Sequence, residues 1–385
     1  MRGTVKRDVA RGTWYFVADV GVDPATGTRR QVRRRGFRTR KLAEDTLKDV
    51  FAESRDGDYV EPSAQPLRVY LEKWLASVAA NRKASTAAMY AHKMRRYVIP
   101  RIGAMPLRAV DAATLDVLYA ELLLRGGRND TDGNLQPLSE QTVAVVHRIL
   151  HRAFADAVRR RTIRNNPAGD AVVPRSRAPR EMQAWSSDEV RAFLDHVAAD
   201  RLHGFWLLAA TTGMRRGEMC GVKWSDLNLD AGQLVVRRSR VPVTGRKVVE
   251  STPKSDRSRV VALAASTVAG LRAHRKRQLE DRLAWGEAWQ DTGYVFTNEN
   301  GSPLRPDAVT RAFNGHVKSA GLRPIVLHGL RHSHATLGLA AGVSVKVMQE
   351  RLGHANLATT LAYTHVIPGM QEEAAATVER LILRT

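Results

Sequence analysis

The sequence predicts a multidomain protein: an α+β amino-terminal domain, an all-α middle domain, and a mainly α carboxy-terminal domain with a small antiparallel sheet. Three observations lead to this fold class. The length of 385 residues suits two or three domains, each able to bury a core. The spacing of apolar residues changes from strand-like to helical after about residue 40. Two proline-containing linkers, at residues 61–66 and 172–180, then separate domains at 1–60, 65–170 and 180–385.

The first 60 residues are predicted to form a small sheet and one helix. The stretch Trp14–Val20 is rich in β-branched and aromatic residues, and a second strand follows at Arg29–Phe37 after turn residues at 23–27. A helix is expected from about Arg40, with Thr39 as its N-cap. Its inward face would carry Ala43, Leu47, Val50 and Phe51.

The middle domain is predicted to contain four helices. The first carries an apolar stripe at Leu67, Tyr70, Leu71, Trp74, Leu75 and Val78. The next is expected at about 85–98, ended by Pro100, and the third at 112–124 with Asp111 as its N-cap. The fourth, at about 140–161 with Ser139 as its N-cap, would bury Val143, Val146, Ile149, Leu150, Ala153 and Ala157. These stripes predict a packed core.

The carboxy-terminal domain is predicted to be mainly helical. It opens at Trp185 with a capping box between Ser186 and Glu189, a signature of a helix start. Strand patterns separated by turn residues occur at 234–237, 247–249 and 260–263. Helices are expected at 188–199, 203–211, 266–283, 306–319, 329–341 and 345–351, with a last helix after Pro368.

The composition favours a polyanionic partner. The chain has 61 Lys and Arg residues against 39 Asp and Glu residues, a formal net charge of +22. Such a surplus favours nucleic acid, because each neutralised phosphate releases condensed counterions. Cys220 is the only cysteine, so an internal disulfide and a thiolate zinc cluster are excluded. With no apolar signal segment and no apolar run of membrane-spanning length, a cytoplasmic location is expected.

Two groups of basic residues are candidates for DNA contact. Alternating basic residues on and just after the strand at 29–37 could enter a major groove as a β-ribbon. This group consists of Arg29, Arg30, Arg33, Arg34, Arg35 and Arg38. The second group follows one face of the helix at 140–161 and consists of Arg148, Arg152 and Arg159. An ordinary solvated surface is the alternative interpretation of each residue.

Residues that could perform chemistry begin with Arg215. It follows a glycine at the start of a predicted helix, where a guanidinium and free helix N–H groups could bind a phosphate. Glu218, three positions further, could orient Arg215 or could be an exposed helix acid. The sequence leaves these two roles open.

A second group of candidates lies more than a hundred residues further along the chain. His328 and Arg331 are three positions apart and share one helical face, so both could reach the same phosphate. His354 follows, and then Tyr363, whose phenol is a candidate nucleophile. Together these residues predict chemistry on a DNA phosphate.

A metal site is the competing interpretation of the histidines in this region. No H-E-x-x-H pattern, carboxylate or cysteine accompanies the histidines at 328, 332, 334, 354 and 365, so neither a metal nor another cofactor is expected. His332 and His334 are expected to pack or cap within their helix.

The order, spacing and local sequence of these residues resemble the tyrosine recombinase (phage integrase) family. The residues that carry the resemblance are Arg215, Lys254, His328, Arg331, His354 and Tyr363. The resemblance covers the whole chain and implies an arm-site-binding domain at 1–60, a helical, SAM-like core-binding domain at 65–170 and a catalytic domain at 180–385. Gly329 stands where the family often has an aspartate, and this difference is not expected to affect the reaction.

The resemblance implies a role for each site residue. Tyr363 would attack the scissile phosphate and form a 3′-phosphotyrosine, leaving a free 5′-hydroxyl. Arg215 and Arg331 would hold the two non-bridging oxygens. His328 would help to take the tyrosine proton, and His354 would hydrogen-bond the phosphate.

Lys254 would be the general acid for the leaving 5′-oxygen. It lies between two predicted strands, so a hairpin could deliver it into the minor groove. Lys247, Arg257 and Arg259 have similar reach and are alternatives for this role.

The implied function is site-specific recombination that integrates or excises a phage or other mobile element at attachment sites, through a Holliday junction. The implied partners are double-stranded DNA with core and arm sites, a homotetramer on synapsed DNA, a host DNA-bending factor and an excision accessory protein. The implied setting is the nucleoid of a bacterial host. Three alternatives are DNA relaxation like that of a type IB topoisomerase, a catalytically idle DNA-binding regulator, and a metal-dependent nuclease.

Overall fold

The computed structural model describes residues 3–22, 28–55, 64–127, 134–174, 183–243, 248–253, 258–363, 379–380 and 382–383. The chain divides into two compact units. The first comprises Met1–Asn81 with Tyr90–Arg177, and the second comprises Arg82–Met89 with Ala178–Thr385. The predicted boundaries of three domains remain predictions. No helix among the described residues is long and apolar enough to cross a membrane.

The first unit begins with a three-stranded antiparallel sheet and one helix. Strands β1 (Gly3–Asp8), β2 (Thr13–Val22) and β3 (Arg29–Phe37) pair in the order β1-β2-β3, and helix α1 spans Arg40–Arg55. The predicted N-cap is confirmed, because Thr39 Oγ1 accepts a hydrogen bond from Leu42 N at 3.2 Å. The core between sheet and helix consists of Phe16, Ala18, Val32, Leu47 and Val50.

Strand β1 was not expected from the sequence. Of its residues only Val5 packs against the core, and the others are polar or small. A strand at the edge of a sheet needs only one apolar residue on its inner face, so it leaves little trace in the hydrophobic pattern.

Six helices follow, and two of them begin at the caps that the sequence predicted, Asp111 and Ser139. The six helices are α2 (Leu67–Asn81), α3 (Ala84–Lys93), α4 (Ile99–Ile102), α5 (Ala112–Arg125), α6 (Glu140–Arg159) and α7 (Pro167–Asp170), with a 3-10 turn at Leu107–Ala109. Asp111 Oδ1 accepts from Thr114 N at 2.8 Å, and Ser139 Oγ accepts from Thr142 N at 3.3 Å. The apolar stripes predicted for α2 and α6 are buried, as expected.

Pro100 does not end a helix, contrary to the prediction. The chain continues from α3 through a wider π-helical stretch at Met94–Val98 and directly into α4. Pro100 lies in the first turn of α4, where its missing N–H is not needed for an intrahelical hydrogen bond. The prediction was wrong because a helical path can restart at a proline after a widened turn.

The second unit contains most of the remaining elements. Its helices are α8 (Ser187–His196), α9 (His203–Thr212), α10 (Arg216–Met219), α11 (Ala265–Trp285), α12 (Pro306–Ser319), α13 (Leu327–Ala340), α14 (Val345–Leu352) and α15 (Ala358–Leu361), with 3-10 turns at Trp224–Asp226 and Gly286–Ala288. The capping box of Ser186 and Glu189 is present. The helix predicted after Pro368 lies almost entirely outside the described residues.

Two small antiparallel sheets complete the second unit. Strands β4 (Leu227–Asn228), β5 (Gln233–Val236) and β8 (Arg259–Ala262) form one sheet, and β6 (Ser239–Pro242) pairs with β7 (Val248–Ser251) in the other. The predicted hairpin between the strands near 248 and 260 is therefore wrong. Strand β6, which the sequence did not indicate, takes β7 as its partner, and β8 pairs with β5 instead.

In the core of the second unit, α13 contacts the segment that begins at Trp185. Trp185, Phe193 and Phe313 pack with ring centroids 5.3 to 5.9 Å apart. The backbone N–H of Trp185 donates to Ser333 Oγ on α13 at 2.7 Å. Helix α13, which carries two of the predicted site residues, is thereby connected to the largest side chains of the core.

Helix α5 offers a matched test of core packing in the first unit. Leu118 is 2% exposed and Leu124, on the same helix, is 74% exposed. Leu118→Ala should lower the free energy of unfolding of the first unit by about 2–5 kcal/mol, because it leaves a cavity in a packed core. Leu124→Ala should change it by less than about 0.5 kcal/mol. Calorimetry of both variants measures the difference, and equal effects would contradict the described packing of α5.

Candidate active site

Two glycine-terminated helix ends and one buried helix bring the candidate residues together. Helix α9 ends at Gly213 with φ of 60°, and α14 ends at Gly353 with φ of 67°. Both values lie in the left-handed region that favours glycine. A Cβ on Gly213 would also lie 2.8 Å from side-chain carbons of His334 and Leu352. The end of α9 therefore approaches Leu352 of α14 and His334 of α13 closely because Gly213 lacks a side chain.

Three arginines bind three consecutive backbone carbonyls at the end of α14. Arg259 Nε donates to the carbonyl oxygen of Arg351 at 3.0 Å. Arg331 Nη2 donates to that of Leu352 at 2.8 Å, and Arg215 Nη2 to that of Gly353 at 3.3 Å. The last carbonyls of a helix have no partner within it and carry partial negative charge, so guanidinium groups stabilise them. The turn before His354 is held by all three.

Arg331 is the most buried of these arginines. Only 2% of it is exposed, and its Nη1 also donates to the Gly213 carbonyl at 2.7 Å. Burial, together with the positive charge of Arg215, lowers the pKa of Arg331 to about 10. The group remains charged at neutral pH, because its lowered pKa is still well above 7. It connects the segment that carries Arg215 to the segment that carries His354.

Glu218 pairs with two of the three arginines. Its carboxylate is 1% exposed and accepts from Arg215 Nη1 at 2.9 Å and from Arg259 Nη2 at 2.7 Å. It also accepts from the backbone N–H of Arg215 at 3.1 Å. Burial alone would raise its pKa, but the hydrogen bond from Arg259 and the charges of both arginines outweigh burial and lower the pKa. Of the two roles that the sequence left open, Glu218 has the one that orients Arg215.

Tyr363 lies inside the site formed by its own chain. It is 3% exposed, and its hydroxyl is 2.9 Å from His332 Nδ1. Its ring stacks on that of His354, with centroids 6.2 Å apart and planes 7° from parallel. Burial raises the pKa of Tyr363, although the charges of Arg331 and Arg215 oppose the increase. The phenol therefore stays protonated at neutral pH.

The other histidines have distinct environments. His354 Nδ1 is 2.8 Å from Thr360 Oγ1, and burial together with the charge of Arg331 lowers the pKa of His354 to about 4. His334 Nε2 accepts from Arg351 Nε at 3.2 Å, which leaves Nδ1 as the donor to the Ala210 carbonyl at 3.1 Å. Burial and the charge of Arg351 lower the pKa of His334 to about 4. The prediction that His334 packs or caps within its own helix was wrong, because its partners lie on α9 and α14.

His328 occupies the first turn of α13 and is exposed. Its ring meets that of His332 edge-on, with centroids 4.7 Å apart. Lys254, the sixth predicted site residue, lies outside the described residues, as do the alternatives Lys247 and Arg257. Within the described ranges, no group of three His, Cys, Asp or Glu side chains could hold a metal ion.

Sequence reasoning missed two residues of this site. His332 was expected to pack or cap within its helix, but it contacts the Tyr363 hydroxyl. Arg259 was considered only as a substitute for Lys254, but it pairs with Glu218. The sequence could have indicated His332 as a site residue, because it adjoins Arg331 and follows His328 by one helical turn. Its contact with a residue 31 positions away depends on tertiary structure.

The predicted DNA-contacting residues in the first unit lie largely on its surface. In β3, Arg29, Arg33 and Arg35 are exposed and Arg34 is half-buried, while Val32 faces the core. The guanidinium carbons of Arg33 and Arg35 lie 4.5 and 5.8 Å from the ring centroid of Tyr15 on β2. The open face of the sheet is thus aromatic and basic. Arg38, just beyond β3, is exposed, and the side chain of Arg30 lies outside the described part of the chain.

Helix α6 presents the second predicted group. Arg148 and Arg159 are exposed and Arg152 is half-buried. Arg159 forms an ion pair with Asp156, which also accepts a hydrogen bond from Trp74 Nε1 at 2.8 Å. Of the three, Arg159 is therefore already paired with a carboxylate of its own helix.

Comparison with family models and curated proteins gives consistent matches. A model described as the phage integrase family matches residues 183–369, and one described as an arm DNA-binding domain matches residues 4–53. A tyrosine recombinase XerC-like protein of Caldanaerobacter subterraneus is 28% identical over 366 residues, covering 90% of this chain and 91% of the relative. The ICEBs1 integrase of Bacillus subtilis is 30% identical over 250 residues, covering 64% and 67%.

Solved structures show the same fold. The Tn1549 transposon integrase in complex with a circular intermediate DNA aligns with a TM-score of 0.66 at 20% identity, covering 82% of this chain and 99% of that one. A lambda integrase tetramer bound to a Holliday junction aligns with a TM-score of 0.56 at 19% identity, covering 93% and 94%. With the family models and the curated relatives, these matches show that the chain belongs to the phage integrase family of tyrosine recombinases.

Proposed function

We propose that this recombinase cuts and rejoins DNA through a covalent bond between Tyr363 and a DNA 3′-phosphate. The observation that carries the proposal is the position of the phenol. It is buried against His332 and His354, and the charges of Arg215 and Arg331 act on it. A phosphate bound by these arginines would meet the tyrosine oxygen.

The two arginines are suited to stabilise the transition state. The pentacovalent transition state carries more negative charge than the phosphodiester. Guanidinium groups that are already fixed in place can stabilise this charge without reorganisation. Arg331 is fixed by two backbone carbonyls, and Arg215 by Glu218 and the Gly353 carbonyl. Each guanidinium has five N–H donors, so these contacts leave donors for phosphate oxygens.

The reaction conserves the energy of the phosphodiester. The tyrosine oxygen forms a bond to phosphorus, the bond from phosphorus to the 5′-oxygen breaks, and the 5′-oxygen takes a proton from a general acid, for which we propose Lys254. A 5′-hydroxyl of a partner strand then attacks the phosphotyrosine and releases the phenol. Two such exchanges, with a Holliday junction between them, would recombine two attachment sites without ATP.

The first unit would supply DNA binding. The match of residues 4–53 to an arm DNA-binding domain and the basic face formed by Tyr15, Arg33 and Arg35 support arm-site binding by the sheet. Arg148 and Arg152 on α6 would contact the backbone of core DNA. A tetramer on synapsed DNA is proposed by analogy with the lambda integrase tetramer. A host DNA-bending factor and an excision accessory protein complete the proposal for a phage or other mobile element.

Tyr363→Phe tests the nucleophile. On a suicide substrate, a nicked attachment site whose cleaved strand cannot religate, the wild-type chain should accumulate a covalent protein–DNA complex. The variant should accumulate none, because it lacks the attacking oxygen. Denaturing gels measure the complex, and a mobility shift checks that DNA binding is retained. A Tyr363→Phe protein that still becomes linked to DNA would mean that another residue is the nucleophile.

Arg215→Ala tests the phosphate clamp, with Arg216→Ala as its control. Loss of Arg215 should slow covalent complex formation by about 10²–10³-fold, because a preorganised donor to the transition state is removed. Arg216 donates to Thr310 Oγ1 at 2.6 Å and belongs to no part of the proposed site, so Arg216→Ala should leave the rate nearly unchanged. If Arg215→Ala weakened DNA binding as much as cleavage, Arg215 would only position DNA.

Glu218→Gln tests the buried carboxylate, with Glu189→Gln as its control. Both glutamates accept from the backbone N–H of a helix N-cap residue, but Glu189 is partly exposed. Glu218→Gln should lower the free energy of unfolding by about 3–5 kcal/mol, because Arg259 loses its buried counter-charge. Glu189→Gln should cost less than about 1 kcal/mol. Denaturant unfolding at neutral pH measures both effects.

The same variant should show a specific pH dependence. The pKa of Glu218 is lowered from its ordinary value of 4.5, so its stabilisation is complete above pH 4.5 and is lost as the pH falls through the lower folded-state value. The stability difference between the wild-type chain and Glu218→Gln should therefore narrow below pH 4.5. A difference that stays constant into that range would mean that the carboxylate charge is not what stabilises the site.

A further inference from the structure

His332 lies against the proposed nucleophile. Its Nδ1 is 2.9 Å from the Tyr363 hydroxyl oxygen, and the two rings pack with centroids 5.5 Å apart. The histidine is half-buried on α13, and the next residue toward the amino terminus is the clamp arginine Arg331. No role in recombination was assigned to His332 by the sequence, where His328 was expected to help take the tyrosine proton.

We propose that His332 takes the proton of the Tyr363 hydroxyl when the tyrosine attacks DNA, and returns it when the strand is resealed. This inference rests on the proposed role of Tyr363 as the nucleophile. It changes the assignment of the proton acceptor from the first histidine of α13 to the histidine one turn further along.

The geometry favours His332 over the neighbouring histidines. An acceptor must lie within hydrogen-bond distance of the proton that it removes, and His332 Nδ1 does so. His354 stacks parallel to the tyrosine ring, and its Nδ1 is engaged by Thr360 Oγ1. His328 is exposed at the first turn of α13 and presents its ring to His332. That position suits contact with the DNA.

The surroundings of His332 keep it neutral before DNA binds. The ionisable groups around it are Arg331 on its own helix, His328 one turn before, and Tyr363. Burial and the charge of Arg331 lower its pKa below the ordinary value of 6.5. A neutral imidazole can accept a proton, and an imidazolium cannot. The bound phosphate and its added transition-state charge would then stabilise the imidazolium that forms.

The proton balance of the reaction is complete with His332 as acceptor. In cleavage, the phenolic proton moves to Nδ1 while the tyrosine oxygen bonds to phosphorus, and the leaving 5′-oxygen receives a different proton from the general acid. In resealing, the phenolate leaves phosphorus and recovers its proton from Nδ1, while the general acid regains its own from the incoming 5′-hydroxyl. Each group ends in its starting protonation state, so no co-reactant is needed.

The test compares His332→Asn with His328→Asn in single-turnover cleavage of a suicide substrate. An asparagine amide can occupy the position of Nδ1 and hydrogen-bond the phenol, but it cannot take up a proton at neutral pH. His332→Asn should therefore slow formation of the covalent complex by about 10²–10⁴-fold while DNA binding is retained. A loss of less than about threefold would show that His332 only positions the phenol, and would overturn the proposal.

The pH profile gives a readout that a structural role would not change. Wild-type cleavage should fall as the pH drops through the pKa that His332 has in the DNA complex, because the imidazolium cannot accept the phenolic proton. His332→Asn should lose this acidic limb, and its rate should increase with pH as the phenol itself ionises. His328→Asn should keep the limb. If His328→Asn instead loses the acidic limb, His328 is the residue that accepts the phenolic proton, and the proposal for His332 is wrong. This result can be obtained even if His332→Asn fails to fold.

A modified leaving group separates the two proton transfers. A substrate with sulfur in place of the bridging 5′-oxygen needs no general acid, because a thiolate is a weak base. His332→Asn should remain slow on this substrate, whereas recovery to the wild-type rate would place His332 on the leaving-group side and overturn the inference.

Tyr363→Phe separates failure of the proposed function from failure of the proposed role of His332. If it still forms covalent complex, the proposed function fails, and if only the His332 variants behave as wild type, this inference alone fails.

Discussion

The structure of this active site depends on the end of helix α14. Three consecutive carbonyls there, of Arg351, Leu352 and Gly353, each accept a hydrogen bond from a different guanidinium. The chain immediately after them carries His354 and, after one short helix, Tyr363. The arginines proposed to bind the phosphate therefore also hold in place the segment that carries Tyr363, the proposed nucleophile. A change in the position of one of these arginines would therefore alter both the proposed phosphate site and the position of Tyr363.

Such a concentration of positive charge needs compensation. Glu218 supplies a buried carboxylate that contacts Arg215 and Arg259, and helix-end carbonyls supply partial charges for Arg331. Among the described residues the site holds more arginines than carboxylates, which suits the phosphate proposed to bind there. Burial, together with the charges of nearby guanidiniums, lowers the pKa of His332 and His354, so both imidazoles are neutral at neutral pH.

Local signals predicted most helices correctly. Thr39, Asp111, Ser139 and the Ser186 capping box mark helix starts through contacts within four residues, so the sequence contains the whole interaction. Predictions that depended on distant partners were less successful. Strand β7 pairs with the unforeseen β6, and the helical path continues past Pro100 after a π-helical stretch. The choice of strand partner depends on packing that no short stretch of residues encodes.

The sequence by itself determined the family and the basic character of the chain, and it predicted Arg215, Arg331, His354 and Tyr363, which the structure brings together. Those follow from residue types, their order and their spacing. Only the tertiary structure decided which of two adjacent-turn histidines contacts the tyrosine, that Glu218 is buried, and that Arg259 is its second partner. The reason is physical. His332 and Tyr363 are 31 positions apart, and α13, α14 and the left-handed turn at Gly353 together set their separation.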